Sequence, residues 1–260
     1  MARGLDVSIE FILLLMGLFV VSILYSSVGH GGASGYLAVM SLTSYGMMEN
    51  SWLKQHAWFL NLLVASLAFY HYRKEGFHNI KLTLPFIIAS IPMAFIGGYL
   101  LINDGIYDLL LSLTLMWAAW RLYNSISIDE INETSLPTFP KAAPWGAGIG
   151  LASGIIGVGG GIFLSPVVLL KKWASPKHTA ATSAIFIWFN SIAGLTGAGI
   201  SGQLNLDLGK LIYFAFIVLI GGFIGSSYGA KIAPQSMIRK ILVGVLVIAA
   251  AKRLIELILI

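Results

Sequence analysis

Long apolar runs separated by short polar stretches dominate the chain. Six runs contain no Asp, Glu, Lys or Arg: residues 11–48, 55–72, 82–103, 142–170, 178–206 and 211–230. A helix crosses a bilayer with about 20 residues, and most of these runs reach that length. Two shorter runs, 109–120 and 241–251, are followed by basic residues, and they reach full length if those side chains extend to the interface. The pattern predicts an all-α polytopic membrane protein.

Glycines interrupt the apolar pattern at two matched places, which indicates an internal repeat. The string VGHGGASGYL at residues 28–37 returns as IGVGGGIFLS at 156–165. The similarity continues downstream. WFLN ending at Asn61 matches WFN ending at Asn190, and AFIGGY from Ala94 matches GFIGSSY from Gly222. We therefore expect two homologous membrane repeats, residues 1–123 and 144–260, joined by a polar linker at 124–143.

The distribution of cations favours one orientation of the repeats. If all eight segments cross the membrane, Lys and Arg divide almost evenly between the two sides. If the glycine-broken first segment of each repeat is re-entrant, eleven of the sixteen Lys and Arg residues fall on one side: Arg73, Lys74, Lys81, Arg121, Lys141, Lys171, Lys172, Lys177, Lys231, Arg239 and Lys240. The positive-inside rule favours this arrangement. Three crossings per half then invert the second repeat, as in many secondary transporters.

The glycine breaks predict where a ligand binds. Non-helical backbone at membrane depth must be buried in protein or line a watery cavity, and glycine permits such turns. A helix that restarts near Ala33, and another near Ile162, would direct free N–H groups and positive dipole ends toward the mid-membrane, forming an anion site that needs no lysine. The alternative is that the glycines only allow helices to pack closely. The candidate site residues are Gly29, His30, Gly31, Gly32, Ala33, Ser34, Asn61, Gly157, Gly159, Gly160, Gly161 and Asn190.

Three polar residues in these segments leave alternatives open. His30 has Val158 as its repeat counterpart; it could contact an anion, take part in proton coupling, or only hydrogen-bond a carbonyl. Asn61 and Asn190 either line the site or bond the backbone freed by the breaks, because a buried amide is costly without a partner. No Asp or Glu lies deep in a segment, so the carboxylate relay of many ion-coupled pumps is missing.

Composition narrows the classes of function. The chain is 57% hydrophobic and 10% charged and contains no cysteine, which excludes disulfides, thiolate metal sites and cysteine nucleophiles. Its formal net charge of +5 would suggest nucleic acid in a soluble protein, but here the cations report orientation in the membrane. The apolar run near the start lacks a cleavage site and is expected to stay in the mature protein. We expect no metal, cofactor or nucleic-acid partner.

The motifs SSVGHGGASGYL and SGIIGVGGGIFLSPVVLL, each at the head of a four-segment half, resemble those of the sulfite exporter TauE/SafE family, also called TSUP transporters. The resemblance implies a multi-pass permease of the bacterial or archaeal inner membrane that usually exports sulfur-containing anions such as sulfite or organosulfonates. It places the family's glycine motif at Gly29, Gly31 and Gly32 and at residues 157 and 159–161. His30 and Ala33 make the first copy less glycine-rich than the second.

The functional expectation is a secondary transporter that holds a small anion between the two helix restarts. The alternative is an anion channel that uses the same helix N-termini as its filter. We do not expect an enzyme, because the chain has no HExxH motif, no intramembrane aspartate pair and no Ser-Lys dyad at mid-depth. The expected partners are the anion and membrane lipid. The oligomeric state is left open, with a homodimer as one option.

Overall fold

The computed structural model describes residues 8–124 and 134–232, which form nine α-helices and one 3-10 turn. The first half contains α1 (Ile9–Ser26), α2 (Ala33–Ser41), the 3-10 turn (Ser44–Met47), α3 (Asn50–Lys74), α4 (Ile80–Tyr99) and α5 (Asp104–Asn124). The second contains α6 (Phe139–Ile156), α7 (Gly161–Leu170), α8 (Pro176–Ile200) and α9 (Leu208–Lys231). The expected all-α fold is confirmed for these residues. The predicted segment at 241–251 lies outside them.

Four helices, α1, α4, α8 and α9, are long and apolar enough to span a membrane by length and composition. The two halves also share an order of helices. Each opens with an 18-residue helix, a break and a short helix of 9 or 10 residues, and continues with a 25-residue helix. Because α6 begins at Phe139, it includes the last residues of the range predicted as linker; the domain boundary itself stays a prediction.

Each broken segment folds back on itself. In the first half α2 runs antiparallel to α1, since Gly35 contacts Val21 while Gly17 contacts Val39. The Ser44 N–H, beyond the end of α2, donates to the Glu10 carboxylate at the start of α1. In the second half the Ser135 N–H, before α6, donates to the Lys172 carbonyl beyond α7, at 3.1 Å. Both hairpins therefore return the chain to the end of the bundle from which it came.

The two halves pack on each other reciprocally. Helix α1 of the first half packs against α9 of the second, and α6 of the second packs against α4 of the first. The matching helices α3 and α8 lie side by side and antiparallel. Trp58 lies against Gly194, and the Gln55 amide near the start of α3 donates to the Gln203 carbonyl just beyond the end of α8. The first and second halves thus contact each other through matching pairs of helices.

Regularly spaced glycines make this packing close. On α6 three glycines one turn apart lie against backbone carbonyls of α4, and on α9 three more lie against carbonyls of α1: Gly146, Gly150, Gly154, Gly221, Gly225 and Gly229. Small residues at this spacing let membrane helices approach until their backbones touch. These stripes are packing glycines and lie apart from the two breaks, for which the choice between ligand binding and close packing stays a prediction.

The bundle has one acidic end and one basic end. The acidic end carries Glu10, Glu49, Asp104 and Asp207, linked by hydrogen bonds such as Asn50 to Asp104 and Asn205 to Glu49. The basic end carries most of the described cations: Arg73, Lys74, Lys81, Lys141, Lys171, Lys172, Lys177 and Lys231. There the α3–α4 loop meets the start of α8 through Phe77 and His178, whose ring centroids are 5.6 Å apart. The interior between the two ends holds the glycine breaks.

Candidate functional site

Two helices start inside the bundle, one from each half. Gly32 is the N-cap of α2 with φ of 105°, and Gly160 is the N-cap of α7 with φ of 84°. L-residues with side chains rarely adopt this left-handed conformation, so glycine allows the chain to turn and resume a helix. The predicted restarts near Ala33 and Ile162 are confirmed, at Ala33 and at Gly161. Gly29, Gly157 and Gly159 also have positive φ.

The two breaks meet at Asn61, near the middle of α3. The Asn61 side chain is fully buried; its Oδ1 accepts the Ala33 N–H at 2.9 Å, and its Nδ2 lies 3.4 Å from the Ser191 hydroxyl of α8. Gly31 of the first break and Gly159 of the second lie directly against this amide, so close that a Cβ on either glycine would collide with it. Asn61 thus bonds the backbone freed by one break and also contacts the other.

Asn190, the repeat partner of Asn61, has a different setting. It is fully buried in α8, and among the described residues neither its Oδ1 nor its Nδ2 has a hydrogen-bond partner. A buried amide without a partner is unfavourable by roughly 1–3 kcal/mol. The structure therefore separates the two asparagines: Asn61 binds a break, whereas Asn190 keeps free donors and acceptors beside Ser191.

His30 links the two breaks. Its Nδ1 lies 3.0 Å from the Val28 carbonyl, and its Nε2 lies 3.1 Å from both the Gly161 carbonyl and the Ser165 hydroxyl. A neutral ring can donate from Nδ1 and accept from the serine at Nε2, whereas an imidazolium can donate to both carbonyls. Either protonation state thus finds partners here. Carbonyl bonding is shown, and contact with an anion and proton handling both stay open.

The outer glycines of the two breaks lie farther from the centre. Gly29 packs against Ala180 near the start of α8, and Gly157 packs against Lys54 near the start of α3. Lys54 precedes Asn61 by seven residues, about 10 Å along a helix at 1.5 Å per residue. The Ser34 hydroxyl donates to the Tyr25 hydroxyl at 2.9 Å, so its side chain ties α2 to α1. The predicted residues thus form a central group and two flanking contacts.

Several polar residues of the site were not predicted from the sequence. Ser183 and Ser191 lie two turns apart on one face of α8, and Ser183 contacts Ser165 of α7 at 2.8 Å. This spacing is the available signal, because residues four apart share a helix face. Lys54 was also missed, since it stands one residue before the charge-free run 55–72 and such edge cations ordinarily report orientation.

The electrostatics of the site come from backbone and cations. The first N–H groups of α2 and α7 have no carbonyl in a preceding turn, and each helix start has a positive partial charge of about half a unit. No cluster of His, Asp and Glu that could hold a metal ion occurs within residues 8–124 and 134–232.

At the acidic end, burial would raise the pKa of Asp207, but hydrogen bonds and charge from Lys210 outweigh burial and hold this pKa below its usual value.

Known proteins similar to this chain carry the name of probable membrane transporters. A probable membrane transporter protein of Sinorhizobium fredii is 34% identical over 248 residues, which cover 94% of this chain and 98% of that protein. A probable membrane transporter protein of Methanocaldococcus jannaschii is 28% identical over 250 residues, 88% of this chain and 91% of that protein.

A third relative and the family profile carry the name of the family. Sulfite exporter TauE/SafE family protein 5 of Arabidopsis thaliana is 33% identical over 86 residues, 33% of this chain and 18% of that protein. No solved structure matches the chain. The profile of the family "Sulfite exporter TauE/SafE" matches residues 12–253, which include both glycine breaks and all the predicted site residues. This chain is therefore a membrane transporter of the sulfite exporter TauE/SafE family.

Proposed function

We propose that this chain is a secondary transporter of the bacterial or archaeal inner membrane that exports a small sulfur-containing anion, such as sulfite or an organosulfonate. One observation carries the proposal: α2 and α7, from opposite halves, both begin in the interior and their breaks meet at Asn61. Helix N-termini are anion sites because N–H groups and dipole ends both favour negative charge. The sulfur chemistry comes from the family's name and stays part of the proposal.

The fixed dipoles suit a dry anion site. Amide groups held by the glycine turns need no reorganisation when an anion arrives, and in a water-poor interior their effect is less screened than in water. Asn190, next to Ser191 on α8, has a side-chain amide without a partner among the described residues, and His30 bonds both breaks. Export of an anion from a negative cytoplasm is already favoured by about 2.3 kcal/mol per charge per 100 mV. The proposed carrier therefore needs no intramembrane carboxylate.

We also propose that the halves form an inverted repeat with re-entrant hairpins. Three observations support this topology: α3 and α8 are antiparallel, each hairpin returns to its own end of the bundle, and the cations collect at one end. By the positive-inside rule the basic end faces the cytoplasm. A two-fold axis perpendicular to the helices then lies in the membrane plane, through the region between Asn61 and Asn190.

Single-cysteine labelling tests this topology, because the chain has no native cysteine. With re-entrant hairpins, a cysteine at Met47 faces outward and one at Lys171 faces the cytoplasm. We expect a membrane-impermeant maleimide to label Met47→Cys in intact cells and Lys171→Cys only after permeabilisation. Gly76→Cys, in the α3–α4 loop, is the cytoplasmic control. Labelling of both Met47→Cys and Lys171→Cys in intact cells would instead indicate eight full crossings.

Thermal unfolding in a panel of anions tests the substrate class. The detergent-purified protein is heated at constant ionic strength with sulfite, thiosulfate, sulfate, sulfoacetate, taurine, phosphate, chloride or acetate. A ligand that binds only the folded state stabilises it by about 2.7 kcal/mol at a hundredfold excess over Kd. We expect the unfolding midpoint to rise selectively with a sulfur oxyanion or a sulfonate. A flat panel contradicts the anion site.

Flux measurements in proteoliposomes separate a carrier from a channel. A carrier with one alternating site saturates and shows counterflow, in which unlabelled anion on one side drives labelled anion from the other. We expect both behaviours with the anion that stabilises the protein most. Flux that shows no counterflow and approaches the diffusion limit would contradict the carrier.

A further inference from the structure

Lys54 is a buried cation beside the second glycine break. Lys54 is only 6% exposed, although it lies in the second turn of α3. The backbone of Gly157 packs directly on its Cβ, and its Nζ lies 5.8 Å from the centroid of the Trp58 ring. Lysine is almost never this buried unless it is paired. A lysine as buried as Lys54 is therefore expected to have a partner of opposite charge.

No described carboxylate lies within ion-pair distance of this lysine. Lys210 at the same end forms an ion pair with Asp207, at 3.0 Å. The carboxylates of Glu49 and Asp104 instead accept hydrogen bonds from amides: Glu49 from Asn205 at 2.9 Å, and Asp104 from Asn50 at 2.6 Å. Trp58 stabilises the ammonium by a cation–π contact, but a ring does not neutralise the charge. Among residues 8–124 and 134–232, Lys54 thus has no ion-pair partner.

A cavity joins Lys54 to the acidic end of the bundle. It has a volume of about 260 Å³, and its lining includes Glu49, Lys54, Asp104, Tyr107 and Gln203. A single water needs about 10–15 Å³ of such volume, so the cavity has room for a small hydrated anion. Its inner wall includes Tyr107, whose hydroxyl donates to the Ile156 carbonyl at 3.1 Å. The cavity therefore ends next to Gly157, where the second break begins.

We propose that Lys54 is a substrate-binding residue that holds the transported anion in this cavity, between the second glycine break and the acidic end. The inference rests on the proposed anion transport. Because no carboxylate pairs with the Lys54 ammonium, an anion that enters the cavity can take the contact position beside it. Glu49 and Asp104 line the same cavity and repel the anion. This site therefore binds the anion transiently on its way to the outside.

The residue that the repeat relates to Lys54 has a different chemistry. The offset of 129 residues that relates Asn61 to Asn190 relates Lys54 to Ser183, whose hydroxyl contacts Ser165, and Ser165 contacts His30. A lysine therefore lies on one side of the centre, and serine hydroxyls beside an imidazole lie on the other. An anion that crosses the protein meets these two different sites in turn.

Substitution of Lys54 tests the inference with sulfite as the probe and sulfate, its oxidation product, as the comparison. Lys54→Met removes the charge and keeps much of the length, Lys54→Arg keeps the charge, and Lys210→Met removes a cation at the same end but outside the cavity. We expect Lys54→Met to raise the half-saturating sulfite concentration for flux and for thermal stabilisation at least tenfold. Lys210→Met is expected to stay within about threefold of the wild type, and Lys54→Arg, which keeps the charge in a larger side chain, is expected to lose less than Lys54→Met.

The unliganded protein supplies the second readout. Because the buried ammonium lacks a partner, Lys54→Met is expected to unfold at the same temperature as the wild type or higher. A lower midpoint, with unchanged sulfite dependence, would make Lys54 a structural residue and overturn the inference alone. A wild type that responds to none of the panel anions would overturn the proposed function and the inference together.

Discussion

Gly159→Val is expected to reduce transport at least about thirtyfold, because the added side chain displaces the second break from Asn61. Gly159 has φ of 75°, and a Cβ there would collide with the Asn61 amide and approach Ile187 Cγ2 to 3.0 Å. The conformation costs a branched residue about 1–3 kcal/mol and overpacking a further 1–3 kcal/mol. To relieve this strain the second break moves away from Asn61, and a loss of about 2 kcal/mol of anion binding from that displacement is a factor of about 30. The initial rate of flux into proteoliposomes measures the loss of transport.

Two glycines elsewhere make matched controls for this change. Gly76 has φ of 81° with no heavy atom within 4 Å of the added Cβ, so Gly76→Val isolates backbone strain. Gly148 is helical and equally open, so Gly148→Val isolates added bulk. Both are expected to transport like the wild type, and size-exclusion profiles check that all variants are folded. A folded Gly159→Val protein with normal flux would remove the glycine break from the binding site.

Asn61→Asp is expected to weaken anion binding by about a thousandfold while leaving the protein folded. The substitution keeps an oxygen that accepts the Ala33 N–H, but it places a negative charge where the two breaks meet. Two like charges 4 Å apart repel by about 4 kcal/mol at an effective dielectric constant of about 20, which is close to three decades in Kd. The thermal shift with sulfite, measured against concentration, gives the change in Kd.

The pH dependence distinguishes this repulsion from damage to the fold. Protonation of the introduced carboxyl removes its charge, so anion binding to Asn61→Asp is expected to recover as pH falls, whereas a structural defect would not recover. Asn79→Asp is the control, because residue 79 caps α4 at the basic end, where a carboxylate also serves as a helix cap. If Asn61→Asp bound a cation more strongly and lost no affinity for anions, the site would be one for cations and not for anions.

Local chemistry explains why the breaks were predictable. Each glycine run stands in a charge-free segment, and a turn there has few solutions other than positive φ at glycine. The predicted helix starts therefore agree with α2 and α7 within one residue. The glycine stripes of α6 and α9 use the same residue type for close packing, and only the backbone conformation separates the two uses.

Long-range contacts explain what could not be predicted. The repeat implied equal roles for Asn61 and Asn190, but only Asn61 bonds a break, because the second half does not copy the first contact for contact. Lys54 resembled an interfacial cation because it borders an apolar run. Its burial depends on Gly157, which lies more than a hundred residues away and packs onto it.

The sequence by itself determined that the described residues form apolar membrane helices with a helix restart at each glycine run, because hydropathy, period and backbone freedom are local properties, and its glycine motifs predicted the transporter family. Only the tertiary structure decided which side chains meet the restarts: Asn61 at their junction, His30 across them and Lys54 beside them. The physical reason is that these contacts arise where α3 and α8 cross the breaks, and the packing of helices far apart in the chain sets that geometry.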